Sequence, residues 1–320
     1  MVEVWLAPLH GITLYTFRNC LFRHTRGIKT AITPFFPVQE AAKLNVRKHA
    51  DFRLENNPSD VEIIPQLIGN VPAHFVDTMN ALNGEFGYTR FNWNIGCPMN
   101  QIVRKKRGCG IMPYSQMVAD VVGTVVAQTP FHFSVKMRLG MYSSDESIAI
   151  LKILNVYPLD FVVIHPRLGV QQYEGTTDLE ALARCLSVTR HKVVYSGDIQ
   201  TVSDYDLLKK RFPEIGGWML GRGILCDPFL AEKIEDYDNN VEPKHDLEER
   251  YSRFTAFYDD LLDTMLGACN ERRVLANLKE LWHYFARFFS LSQEELQKLL
   301  RIEDFSEFVS KTGLICRNLS

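Results

Sequence analysis

Eight short runs of β-branched and aromatic residues recur along this chain, separated by stretches with helical spacing, and this alternation limits the fold more than any other feature. The runs are Val2 to Leu6, Ile28 to Thr33, Glu62 to Leu67, Tyr88 to Asn94, Phe131 to Met137, Phe161 to Ile164, Lys192 to Tyr195 and Gly217 to Leu220. They are short and apolar on both faces, as strands of a parallel sheet buried from two sides must be. Between them, helical spacing covers Thr13 to Phe22, Pro72 to Leu82, Ser115 to Gln128, Asp145 to Asn155, Leu179 to Val188 and Val202 to Arg211, and a further helix opens at Asp227. Pro72 suits a first helical turn, where its missing N–H costs little, and Ser115 reads as a cap. Eight such units predict an α/β fold, a (β/α)8 TIM barrel. A doubly wound sheet would not require eight units, and no G-x-G-x-x-G follows the first strand.

The pattern changes near residues 236 to 245, which are polar and rich in turn formers. Beyond this linker no strand-like run remains. Leu247 to Leu266, Glu271 to Phe289, Gln293 to Leu300 and Asp304 to Ser310 carry helical spacing. The expected division is a barrel over residues 1–238 and a small C-terminal helical domain over 239–320.

Composition excludes several classes. No apolar run approaches the ~20 residues that span a bilayer, so no membrane role is expected. Val2-Glu3-Val4-Trp5 reads as a first strand rather than a signal peptide. The seven cysteines are scattered without a C-x-x-C pair. Neither a metal cluster nor a disulfide framework is indicated, and a reducing cytoplasm fits best. A formal net charge of -2 excludes a protein that coats nucleic acid non-specifically, but not an enzyme that grips RNA through a local patch. One basic run, Arg104-Lys105-Lys106-Arg107, offers such a patch; a solvated loop is the plainer reading.

Active sites of (β/α)8 barrels lie at the C-terminal strand ends. Here those ends carry Ala7-Pro8-Leu9-His10, Gln66, Asn94 with Cys97, Lys136-Met137-Arg138, His165-Pro166-Arg167, Ser196-Gly197-Asp198 and Gly221-Arg222-Gly223. Polar groups at the same end of seven strands are more than a scaffold requires. Cys97 sits in Asn-Ile-Gly-Cys-Pro, where Gly and Pro end the strand and leave the thiol on a loop. A ligand-facing thiol and a small buried core residue are both open readings. The last two strand ends place small residues and Arg222 where barrels form phosphate sites, although each glycine alone also fits a tight turn. Lys136 has three readings: a Schiff base, a positive charge beside a cofactor, or a solvated strand end. His10 and His165 fit scaffolding as readily as chemistry.

Together these residues resemble the tRNA-dihydrouridine synthase family, from Ala7 to about Asp227 and more weakly over Arg273 to Tyr284. The likeness rests on A-P-L-x-G at Ala7 to Gly11, Q-L-I-G at Gln66 to Gly69 and N-I-G-C-P at Asn94 to Pro98. It continues with V-K-M-R-L-G at Val135 to Gly140, H-P-R-L-G-V-Q-Q-Y-E-G at His165 to Gly175, S-G-D-I at Ser196 to Ile199 and G-R-G-I-L at Gly221 to Leu225. Leu9 stands where the family commonly has Met, Pro166 where it has Gly or Ala, and Ser196 where it has Asn.

The resemblance implies a flavin mononucleotide (FMN) barrel with a helical tRNA-binding domain. It implies reduction of the C5–C6 double bond of selected tRNA uridines with NADPH or NADH. By position, Cys97 is the expected proton donor; Cys109, in a Gly-x-Gly context, is not. Lys136 and His165 are expected to line the flavin and Pro8, Leu9 and Gln66 to pack around its ring. Gly197, Asp198, Gly221 and Arg222 are expected to hold its phosphate, and Asn94, Arg167 and Tyr173 to lie on the uridine side. The enzyme is expected to act as a monomer.

The chemistry needs a hydride at C6 and a proton at C5. A free thiol, with pKa ~8.5, is mostly protonated at neutral pH and can give that proton. Two rivals are an FMN barrel acting on a free pyrimidine, similar to dihydroorotate dehydrogenases, and a tRNA-binding protein without activity. The helical tail and basic run favour RNA, and the intact Cys97, Lys136 and Arg222 favour an enzyme.

Overall fold

The computed structural model describes residues 2–43, 45–57, 60–242 and 247–317. Its strands are β1 (Val4–Leu6), β2 (Ile28–Ile32), β3 (Phe36–Pro37), β4 (Glu62–Ile64), β5 (Gln66–Ile68), β6 (Arg90–Ile95), β7 (His132–Gly140), β8 (Val162–Leu168), β9 (Val193–Ser196) and β10 (Gly217–Leu220). Neighbours pair in parallel in the order β3-β5-β6-β7-β8-β9-β10-β1-β2-β4. The barrel closes through β4 and β5, which are one segment interrupted at Pro65. Proline lacks the N–H that would continue the ladder. Before it, Ile64 accepts from the Thr33 amide at 3.0 Å; at it, Pro65 accepts from the Asn92 amide at 3.0 Å. The expected third strand is therefore corrected to two short ones that face different neighbours.

Alternation along the strands sorts their side chains into two layers. Trp5, Ala7, Ile32, Ile64, Phe161, Val163, Val194 and Met219 form a compact cluster of their own, the barrel interior. Their neighbours Val4, Leu6, Ala31, Val162, Ile164 and Leu220 belong to the larger core under the helices. The period of two sends adjacent residues to opposite faces. Nearer the C-terminal ends the interior turns polar. Asn94 donates to Gln66 Oε1 at 2.8 Å, Gln66 donates to Asn92 Oδ1 at 2.8 Å, and Asn92 donates to Ser134 Oγ at 2.9 Å.

Most helices begin and end near their expected limits. Thr201 and Asp204 form a reciprocal cap at the start of the helix Val202–Arg211. Ser115, expected as a cap, is already the first helical residue of Ser115–Gln128, and Tyr114 before it makes no side-chain cap hydrogen bond. The first helix is Tyr15–His24, and the strand expected to end at Met137 runs on to Gly140.

After the helix Leu230–Asp238, residues 243–246 of the expected linker lie outside the described residues. Four helices follow: Leu247–Ala268, Glu271–Phe288, Gln293–Leu300 and Phe305–Cys316. Aromatic rings dominate their packing, with Phe254 and Phe288 centroids 4.5 Å apart. The helix Leu247–Ala268 docks on Tyr15–His24, where Arg23 and His24 both reach the Asp260 carboxylate at 2.9 Å. Among the described residues no helix is long and apolar enough to cross a membrane.

Candidate active site

A cavity of about 220 Å³ opens at the C-terminal ends of the barrel strands. Pro8, Leu9, Asn94, Cys97, Lys136, His165, Tyr173, Gly197, Gly221 and Arg222 all line it. Three residues expected beside them do not. Gln66 is fully buried beneath Asn94, Arg167 is buried against Asp198, and Asp198 touches the cavity only through its partner Arg222.

The loop after β6 is fixed by one side chain. Asn94 Oδ1 accepts from the amides of Gly96 at 3.0 Å and Cys97 at 2.9 Å. Gly96 also packs close on β7, where an added Cβ would meet the Met137 carbonyl carbon at 3.3 Å. The Cys97 thiol is half-buried at the cavity. Burial pushes it up, against the opposing pull of the Met99 backbone, Arg138 and Lys136, so it keeps its proton at neutral pH.

Lys136 projects from β7, and its ammonium has no hydrogen-bond or ion-pair partner among the described residues. Burial, helped by the neighbouring Arg138 charge, lowers it from the ordinary 10.5 to about 8. His165 on β8 is held well below the ordinary 6.5 by burial and by the charges of Lys136, Arg138, Arg167 and Arg222. It is neutral at physiological pH, and its Nδ1 is buried without a partner. A buried polar atom left without a partner is uncommon, and one beside a cavity, with the unpaired Lys136 ammonium next to it, indicates a ligand that completes it.

The far wall is formed by β9 and β10. Arg222 donates to Asp198 Oδ1 at 2.6 Å, and Arg167 makes a two-pronged ion pair with the same carboxylate. Burial raises the Asp198 carboxyl, but hydrogen bonds and charge from Arg167, then Arg222, outweigh it and hold it below its usual range. A side chain at Gly221 would meet only Ala7 at 3.5 Å and Leu9 at 3.8 Å, ordinary contacts. The fold itself does not demand glycine there, so its absence of a side chain keeps the cavity open.

Arg138 lines the cavity as well, although no role was expected for it. It alternates with Lys136 on β7, and the period of two was the available signal. Its guanidinium lies 5.3 Å from the Tyr173 ring, and that of Arg222 lies 5.1 Å from the same ring. His10 also reaches the cavity, stacked on Phe35 at 4.7 Å. The lining thus carries three cations, Lys136, Arg138 and Arg222, and no carboxylate. It favours a ligand bearing negative charge.

Several known proteins are similar to this chain over most of its length. One similar protein is a tRNA-dihydrouridine(16) synthase of Cupriavidus necator, 26% identical, covering 95% of this chain and 96% of that protein. Another, of the same name, from Pseudomonas syringae pv. tomato is 27% identical over 73% of this chain and 74% of its own. Among solved structures, the old yellow enzyme from Trypanosoma cruzi shares the fold with a TM-score of 0.51 at 11% identity, over 81% of this chain and 94% of that one. A morphinone reductase variant in complex with tetrahydroNAD gives a TM-score of 0.52 at 10% identity, over 73% of this chain and 86% of that one. Residues 5–309 match the family model described as dihydrouridine synthase (Dus), and the chain belongs to that family.

Proposed function

We propose that this enzyme, a flavin-dependent oxidoreductase, reduces the C5–C6 double bond of uridine in tRNA, with FMN as the flavin and NADPH or NADH as the reductant. The observation that carries the reading is the placement of a protonated, half-buried Cys97 in one cavity with Lys136, His165 and Arg222. The residues present fit FMN. The unpartnered Nδ1 of His165 and the unpaired ammonium of Lys136 suit the polar edge of the ring. Pro8 and Leu9 offer an apolar surface for its face, while Gly197, Gly221 and Arg222, braced by Asp198, suit the phosphate.

When bound there, the flavin supplies the hydride that the reduction requires. Lys136 stabilises negative charge at the ring edge, and excluding water strengthens that interaction. Cys97 gives its proton to C5 from the opposite side of the base. Asn94 holds the Cys97 loop by its two amide bonds and sits where it can also meet the uracil edge. Arg138 and Tyr173 stand at the mouth, where an extruded uridine enters; leaving the stack costs a few kcal/mol. The helical domain and the Arg104 to Arg107 loop offset that cost by contacts to the RNA backbone.

A free pyrimidine as substrate is not favoured, because the similar proteins that match nearly the whole chain are named for tRNA. We place the enzyme in the cytoplasm as a monomer: its seven cysteines are all free, which suits a reducing compartment.

The experiment is direct. Flavin released from the purified protein is identified by mass, and the loaded enzyme is incubated with unmodified tRNA and NADPH or NADH in turn. Dihydrouridine is then mapped by position, beginning with position 16. Bleaching of the flavin by NADPH or NADH followed by no dihydrouridine at any position would remove tRNA as the substrate.

A further inference from the structure

Arg167 lies two residues past His165 on β8, yet it is only 2% exposed and does not reach the cavity. Its donors are already committed. Nε donates to the Glu174 carbonyl at 3.2 Å and Nη2 to the Gly175 carbonyl at 2.7 Å. Nη1 donates to Asp198 Oδ1 at 3.0 Å, and Nη2 also pairs with Asp198 Oδ2. One guanidinium therefore joins two things: the loop after β8 and the carboxylate that braces Arg222.

That loop carries Tyr173, which is 53% exposed and packs across the guanidiniums of Arg138 and Arg222 at the cavity mouth. Its backbone is unusual on both sides of the tyrosine, with Gln172 at φ 49° and Gly175 at φ 65°. Positive φ is unfavourable for a residue such as glutamine and persists only where the surroundings enforce it. Among the described residues the Glu174 and Gly175 carbonyls have no hydrogen-bond donor other than Arg167. Fork geometry matters here, since lysine cannot reach two carbonyls and both oxygens of a carboxylate at once.

We infer that Arg167 is a positioning residue for the substrate step, one that touches neither base nor cofactor: it holds Tyr173 over the cavity mouth and keeps Asp198 against Arg222. The tie itself is independent of what the cavity binds, while the assignment to the substrate step rests on the function proposed above.

Two measurements test it on the flavin-loaded enzyme. Amide hydrogen exchange over residues 171–177 should quicken on the order of tenfold in Arg167→Lys, the effect of about one lost hydrogen bond. In steady state with saturating flavin the same variant should raise KM for tRNA several-fold with kcat nearly unchanged, and reduction of the bound flavin by NADPH or NADH should keep its rate. General destabilisation would slow both half-reactions. Unchanged exchange over 171–177 together with a collapse of kcat would overturn the proposal and place Arg167 on the base. Should Arg167→Lys fail to fold, Asp198→Asn weakens the same clamp from its other end and should quicken exchange in the same segment; unchanged exchange there also overturns the proposal. If wild-type enzyme forms no dihydrouridine at all, the function fails while the exchange measurement still decides whether the tie exists.

Discussion

The Cys109 amide donates to the Cys97 carbonyl at 3.0 Å, yet the two thiols have different surroundings. Cys97 lines the cavity, whereas Cys109 is fully buried with its Sγ 3.4 Å from Met141 Sδ. Burial pushes the Cys109 thiol up to about 12, and its Sγ donates to the Met141 thioether instead of facing the cavity. Cys97→Ala should therefore leave flavin reduction by NADPH or NADH nearly intact and slow tRNA-driven reoxidation by ~10²–10⁴-fold, the usual loss of a general acid. Cys97→Ser keeps an O–H of far higher pKa and should also be slow, while Cys109→Ala should spare both steps. Rapid-mixing absorbance of the flavin, followed for each half-reaction, reads the result. Equal reoxidation rates in wild type and Cys97→Ala would take Cys97 out of the mechanism.

Arg222 is the cation best placed for a phosphate, since Asp198 occupies only one side of its guanidinium. Arg222→Ala should release flavin on dialysis, and Arg222→Lys should retain part of it, because charge survives but the fork does not. Flavin content per chain after dialysis is the readout. Full occupancy in Arg222→Ala would move the phosphate elsewhere.

Lys136 illustrates a cost of function. Its folded pKa of about 8 lies below the ordinary 10.5, so between those values the unfolded chain holds a proton that the folded chain lacks. Stability therefore rises with pH through that window, and at neutral pH the buried ammonium is a burden of roughly 3 kcal/mol at most. Flavin-free Lys136→Met should be more stable than wild type at neutral pH, with the gain fading as pH climbs toward 10.5. Urea midpoints of both proteins across this range test it; a lower midpoint for the variant at neutral pH contradicts it. The same variant should hold flavin less well.

The loop Arg104 to Arg107 forms no ion pair among the described residues. Asn70 Nδ2 holds the carbonyls of Lys105 and Lys106 at 3.0 and 3.2 Å, and the Lys106 ammonium lies 4.2 Å from the Tyr114 ring centroid. These contacts shape the loop while leaving its charge available. Replacing all four residues by Gln should flatten the salt dependence of tRNA affinity, by roughly 0.7 in log–log slope for each lost phosphate contact in single-stranded segments. An unchanged slope would return the run to a solvated loop.

Glu232 is 4% exposed and accepts from Arg253 at 2.6 and 2.9 Å, tying the helix Leu247–Ala268 to Leu230–Asp238. Arg253 also lies 4.2 Å from the Phe229 ring centroid. Arg253→Ala strands a buried carboxylate and should cost near the lower end of ~3–5 kcal/mol, because the arginine itself is partly solvated. Arg253→Ala combined with Glu232→Gln should recover part of the loss. Chemical denaturation of the full chain measures both, and a loss under about 1 kcal/mol, the level of an exposed pair, would mean that solvent already screens the pair.

Much of the barrel was legible because strands buried on both faces must be apolar throughout, and the run from Phe161 to Ile164 can hardly be anything else. The helical tail was legible for the complementary reason, a sustained period near 3.6. Pro65 was visible in the sequence but its effect was not, since a proline within a run does not reveal that the chain changes partner there. The end of β7 was likewise placed too early, and Arg138, named at that strand end, was given no role, because a basic residue at a run's edge looks like a loop residue until the neighbouring strand is placed.

The chemical groups at the strand ends could be named from the order of residues alone. Cys97 after Asn-Ile-Gly, Lys136, His165 and the Gly221-Arg222 pair are set by local order along the chain and by the rule that strand ends share one face. Which of those groups face the cavity depends on contacts between strands. Gln66, Asp198 and Arg167 stand at the same level as their neighbours, but each is turned into a hydrogen-bond network with residues 28 to 31 positions away: Gln66 under Asn94, and Arg167 on Asp198. Such pairings depend on closure of the barrel, which brings distant strands side by side. An arginine among competing acceptors goes where its five donors are best satisfied, and no spacing along a single strand encodes that choice.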